Sequence, residues 1–104
     1  MSRKVRAASV SEIPPGCSKE LILEGRVLAL FNVAGEFFAI DGICAHAGGP
    51  VGKGELRGNI VTCPWHGWQY DVRSGENCLN AAICQKKFPV SVECQEIFIE
   101  FSDP

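Results

Sequence analysis

Two short segments, Cys44-Ala45-His46 and Cys63-Pro64-Trp65-His66, constrain this chain more than any others; sixteen residues separate them. Each offers one thiolate and one imidazole, and the only two histidines among the 104 residues are both here. Cysteine and histidine are the soft and borderline ligands of iron-sulfur clusters, zinc and copper. Two close pairs joined by a long segment describe two ligand hairpins facing each other, so a metal centre is the first expectation.

Around the pairs the sequence reads as short strands, because no stretch carries apolar residues at helical spacing over three turns with a cap at each end. Lys4 to Ala8 predicts a first strand, and Ser11 to Gly16, with two consecutive prolines and a glycine, predicts a turn. Glu20 to Leu23, Arg26 to Val33 and Glu36 to Ile40 are apolar runs separated by Glu24-Gly25 and Ala34-Gly35, the spacing of a meander of hairpins. Arg26 to Val33 is apolar on both faces, which predicts a central strand covered on each side. Phe88, Val90 and Val92 alternate with Pro89, Ser91 and Glu93, a half-buried strand whose proline belongs at an edge; Cys94-Gln95 turns it into Glu96 to Phe101. Asp41 to about Lys87 is rich in glycine and holds two strand-like pieces, Asn59 to Thr62 and Trp68 to Val72. The expected organisation is one domain over 1–104: a β base of about 1–40 and 88–104 carrying a loop-rich, metal-binding insert of about 41–87.

Composition excludes several function classes. Apolar residues at 46% against 21% charged fit a turn-rich globular domain rather than a disordered tail. A net charge of -2 provides no global positive field for nucleic acid or anionic lipid, so proteins are the expected partners. The basic start, Met1 to Arg6, is not followed by an apolar signal region, and Val27 to Ile40 is too short and too interrupted to span a bilayer, so a cytoplasmic monomer without a membrane anchor is expected. Six cysteines could make three disulfides only in a secreted chain. Cys17, Cys78, Cys84 and Cys94 are expected to be thiols, with a disulfide between Cys78 and Cys84, or a role for them as alternative ligands, left open.

The order of the ligands bears on the metal. Zinc fingers place two cysteines together and two histidines on a helix, whereas each arm here mixes one of each. A 2Fe-2S cluster accommodates the mixture if one iron takes both thiolates and the other both imidazoles. Two ferric ions, two sulfides and two thiolates sum to zero with neutral imidazoles, so adding an electron is easier than with four thiolates. The potential then lies at about -150 to +300 mV rather than about -400 mV.

Cys-x-His followed by Cys-Pro-Trp-His-Gly-Trp-x-Tyr-Asp at Cys63 to Asp71 resembles the Rieske 2Fe-2S domain, and the flanking meander and final hairpin resemble that family's base. The resemblance implies an all-β fold, an antiparallel sandwich or barrel base with a loop-rich cluster-binding subdomain. It implies one Rieske-type 2Fe-2S cluster, with Cys44 and Cys63 on the inner iron and His46 and His66 on the outer iron. Respiratory members carry a disulfide between the loops and a sulfide-bonding serine; the matching positions here are Gly49, Trp65 and Trp68, so the likeness is to the low-potential ferredoxins and oxygenase domains. Tyr70 is retained, but its hydroxyl is not assigned to a cysteine sulfur. Gly48, Gly49 and Gly67 are expected to permit turns whose N–H groups point at cluster sulfurs. Trp68 is expected to pack, and Trp65 to pack or to dock. Many members cover the cluster with a proline-rich segment, for which Gly75 to Cys84 has no proline.

No third histidine remains to build the mononuclear iron of an oxygenase, and no glycine-rich turn suits a dinucleotide. The expected function is therefore not an enzyme in itself: a soluble ferredoxin passing single electrons from a flavin-dependent NAD(P)H reductase to a terminal oxygenase of the aromatic-ring dioxygenase type, docking transiently near His46 and His66. The alternatives are the small Rieske-like subunit of an NADH-dependent nitrite reductase and, in a different class, a zinc-stabilised interaction module.

Overall fold

The computed structural model describes residues 2–45, 48–65 and 67–102. Ten strands follow in chain order: β1 (Ser2–Ser9), β2 (Ser18–Leu23), β3 (Arg26–Val33), β4 (Glu36–Asp41), β5 (Glu55–Arg57), β6 (Ile60–Thr62), β7 (Gln69–Asp71), β8 (Lys87–Phe88), β9 (Val90–Glu93) and β10 (Glu96–Ser102). Helical structure among the described residues is limited to two 3-10 turns, Val10–Glu12 and Val51–Lys53.

The strands form three antiparallel sheets, in the orders β1-β10-β9, β2-β3-β4-β8 and β5-β6-β7. Three tight hairpins follow from their turn residues. Glu24-Gly25, Ala34-Gly35 and Cys94-Gln95 all have positive φ at both positions, the primed geometry whose twist suits antiparallel strands.

The expected central strand is β3, and its two faces serve two different cores. Leu28 and Leu30 pack with Ile97, Ile99 and Phe101 of β10, with Ala8 and Phe88, joining the two base sheets. Ala29 and Phe31, on the opposite face, pack with Ile40, Val51, Val61, Tyr70 and Val72, and this second cluster contains Cys44 and Cys63. A strand apolar on both faces thus ties the scaffold to the loops that carry Cys44 and Cys63. Asn32 is the polar exception in it; its buried amide donates to the Ile13 carbonyl at 2.7 Å and accepts from Gly35 N–H at 2.8 Å.

Two features differ from expectation. The run from Phe88 to Glu93 is not one strand: Phe88 pairs with Ala39 of β4, whereas Val90 pairs with Ile99 of β10. Pro89 lacks the N–H to continue a ladder, and the chain changes sheets there, its carbonyl accepting from Glu100 N–H at 2.9 Å. The second feature is β5, which turns through Gly58 at φ +61° and adds a third strand to the two expected in the insert.

Candidate metal centre

Cys44 follows β4 and Cys63 follows β6, so each thiol stands just past the end of a strand anchored in the second core. Both are almost completely buried, at 2% and 1% exposure. The first loop is closed on itself: Cys44 N–H donates to the Gly49 carbonyl and Gly48 N–H to the Cys44 carbonyl, both at 2.9 Å. Gly48 is at φ +76°, as a turn glycine should be, but its N–H is spent on that carbonyl rather than on a sulfur. The second loop is tied by Cys63 N–H donating to the Trp68 carbonyl at 2.7 Å, with Gly67 at φ +72° between them.

The loops meet at Gly49. A Cβ there would lie 2.8 Å from Cys63 Sγ and 2.8 Å from Trp65 Cβ, closer than packed atoms approach. Positions 49 and 65, where the respiratory branch carries its disulfide, therefore face each other. No disulfide joins any of the six cysteines, all of which are described, so Cys78 and Cys84 are unbridged.

Burial pushes the Cys63 thiol upward, the Trp65 backbone N–H pulls it part of the way back, and the neighbouring Cys44 raises it further. Two adjacent buried sulfurs resist ionisation unless a cation compensates their charge. Tyr70, wholly buried, places its Oη 3.2 Å from Cys44 Sγ, a contact that the sequence alone does not assign. Burial, and then Cys44, raise the Tyr70 phenol far above its ordinary value, so it stays protonated and can donate. Paired buried thiols, a hydroxyl on one and a backbone N–H on the other, and a glycine where any side chain would intrude together fit a sulfur-ligated metal group. His46 and His66 lie outside the described residues.

Two further residues carry this site and were not singled out from the sequence. The Gln85 side chain is buried; its Oε1 accepts from Ala45 N–H at 3.0 Å, and its Nε2 donates to the carbonyls of Asp41 at 3.0 Å and Ile43 at 2.6 Å, clamping the backbone on both sides of Cys44. Asn77 is also buried, and its Oδ1 caps the following loop through Leu79 N–H at 2.9 Å and Asn80 N–H at 3.1 Å. In the sequence both stand in polar stretches with no periodicity, which gives no signal of burial. The segment from Gly75 to Cys84 has no proline, yet it presses Ile83 against the second core. Trp68 packs against the same core, as expected, whereas Trp65 is 51% exposed.

Comparison with known proteins accords with this geometry. Residues 3–90 match the model of the Rieske [2Fe-2S] domain. The ferredoxin component of the naphthalene 1,2-dioxygenase system of Pseudomonas aeruginosa is 36% identical over 94% of this chain and 95% of its own. The biphenyl dioxygenase ferredoxin subunit of Pseudomonas sp. (strain KKS102) is 33% identical over 93% and 91%. Among solved structures, the Sphingomonas yanoikuyae B1 ferredoxin superposes with a TM-score of 0.87 at 29% identity, covering 96% of this chain and all of that one. A single 2Fe-2S cluster is the cofactor this domain indicates, and with its antiparallel sheets and two facing cysteine loops the chain belongs to the Rieske [2Fe-2S] domain family.

Proposed function

We propose that this chain is the electron-carrying ferredoxin of an aromatic-ring dioxygenase system, accepting one electron from a flavin-dependent NAD(P)H reductase and delivering it to a terminal oxygenase. The observation that carries the reading is the buried Cys44–Cys63 pair between two loops, in a chain alike over nearly its whole length to ferredoxin components of such systems.

In this reading Cys44 and Cys63 hold the inner iron, and His46 and His66 the outer iron. When bound, the cluster supplies a one-electron site whose potential is set by ligand charge, hydrogen bonds to sulfur and solvent exposure. The second core anchors both cysteines and excludes water from them. Tyr70 and the Trp65 N–H stabilise negative charge on the sulfurs, and Gln85 keeps the first loop in register with the second. Both histidines being committed to the cluster, the chain itself brings no third one to a mononuclear iron. Ile43 and Trp65, each about half exposed and each within two residues of a cysteine ligand, form the apolar part of the docking face. Such docking is small and transient, since a carrier must leave one partner to reach the next.

The test is reduction of the holoprotein by candidate reductases with NADH, followed by reoxidation with candidate aromatic-ring oxygenases. Turnover with an oxygenase is expected. Failure with every oxygenase, alongside turnover with an NADH-dependent nitrite reductase, would replace this function with that of the small reductase subunit.

A further inference from the structure

Asn77 is directly opposite Tyr70, across an antiparallel bridge flanked by Asp71 N–H to the Glu76 carbonyl and Cys78 N–H to the Gln69 carbonyl, both at 2.9 Å. That makes Tyr70 and Asn77 a non-hydrogen-bonded pair, the kind in which opposed side chains lie closest and on one face of the ladder. The Asn77 amide cannot choose its orientation freely. Its oxygen is held by Leu79 N–H and Asn80 N–H, which leaves its NH2 end for the side of Tyr70, whose phenol it pulls downward against the effect of burial.

The hydroxyl has one proton. An Asn77 N–H donated to that oxygen would leave the proton to point at Cys44 Sγ, 3.2 Å away. We propose that Asn77 is a positioning residue for electron transfer: by donating to Tyr70 it aims the Tyr70 O–H at Cys44 Sγ and thereby raises the reduction potential of the centre. A hydrogen bond to a ligand sulfur stabilises the extra negative charge of the reduced state. A phenol that itself accepts a hydrogen bond is a stronger donor than one that does not. The loop from Asn77 to Asn80 thus reaches the centre electronically through one tyrosine.

The inference rests on Cys44 being a cluster ligand, and the two can fail separately. The measurement is the midpoint potential of the holoprotein by spectroelectrochemistry, with cluster absorption confirming equal loading. Asn77→Ala is expected to lower the potential, by less than Tyr70→Phe does. Asn77→Asp keeps the acceptor for Leu79 and Asn80, and so keeps the loop, but turns an oxygen toward Tyr70 that draws its proton away from the sulfur; it decides the matter if Asn77→Ala fails to fold. Its effect is expected to be larger with Tyr70 present than in combination with Tyr70→Phe, because only the added charge then remains. Asn77 variants that leave the potential unmoved, or shift it equally whether or not Tyr70→Phe is present, overturn the role of Asn77. A Cys44→Ser variant with an unaltered cluster spectrum overturns instead the ligand assignment beneath it.

Discussion

Gly49 and Cys63 come from opposite loops and touch so closely that a single added methyl group at position 49 would stand 2.8 Å from the Cys63 sulfur. Trp65 Cβ stands at the same 2.8 Å and does not move when the indole rotates, and the sulfur is held in the second core. Gly49→Ala is therefore expected to cost about 1–3 kcal/mol of stability, the usual range for overpacking. Urea denaturation checks it, and Trp65→Ala in combination should restore only part of the loss. Complete restoration would mean that the tryptophan alone restricts this position.

Gln85 makes three hydrogen bonds to the backbone around Cys44. Gln85→Leu keeps nearly the same volume but leaves one N–H and two carbonyls without their partner. At about 1–3 kcal/mol for each buried unsatisfied group, reduced because water reaches some of them, a loss of about 2–4 kcal/mol is expected. Hydrogen exchange at Ala45 should accelerate more than exchange in β10. A uniform acceleration would place the effect in global stability rather than in the loop.

His66→Cys tests the ligation directly. If the outer iron gains a thiolate in place of a neutral imidazole, the potential should fall toward the roughly -400 mV of all-cysteine centres. Potentiometry with cluster quantification reads the change. An unchanged or raised potential in fully loaded protein contradicts the assignment.

Asp71 closes its turn through Arg73, accepting at 2.9 Å from the backbone N–H and at 3.1 and 3.2 Å from the guanidinium. The Arg73 side chain holds the Asp71 carboxyl below its ordinary value against the opposing effect of burial. A folded value below the unfolded one contributes stability that is fully present above the unfolded value of about 3.9 and is lost as pH falls through the folded value. Asp71→Asn should therefore be less stable than the natural sequence near neutrality, by up to about 1 kcal/mol for a pair so open to solvent, and the gap should close below pH 3. Thermal unfolding at several pH values measures the gap; one that widens in acid reverses the sign.

The meander from Glu20 to Ile40 is readable in the sequence because apolar runs and glycine turns are local signals, and β3 has the bounds its composition predicts. The switch of sheets at Pro89 is not, since alternation continues unbroken from Phe88 to Val92 while the pairing partner changes from β4 to β10. Glu55-Leu56-Arg57 has no strand signature of its own; its pairing with β6 makes it one.

The sequence by itself determined the chemistry: two cysteine-histidine arms, their spacing and their surrounding motif name the kind of metal centre, because ligand type and order are properties of the covalent chain. Tertiary structure alone decided what surrounds it. Gln85 and Asn77 look like surface amides until the segment that carries them folds back over the first loop and beside β7. Only there do hydrogen bonds between residues 26 and 40 positions apart, such as Cys44 with Tyr70 and Ala45 with Gln85, turn buried polar groups into the setting of the centre.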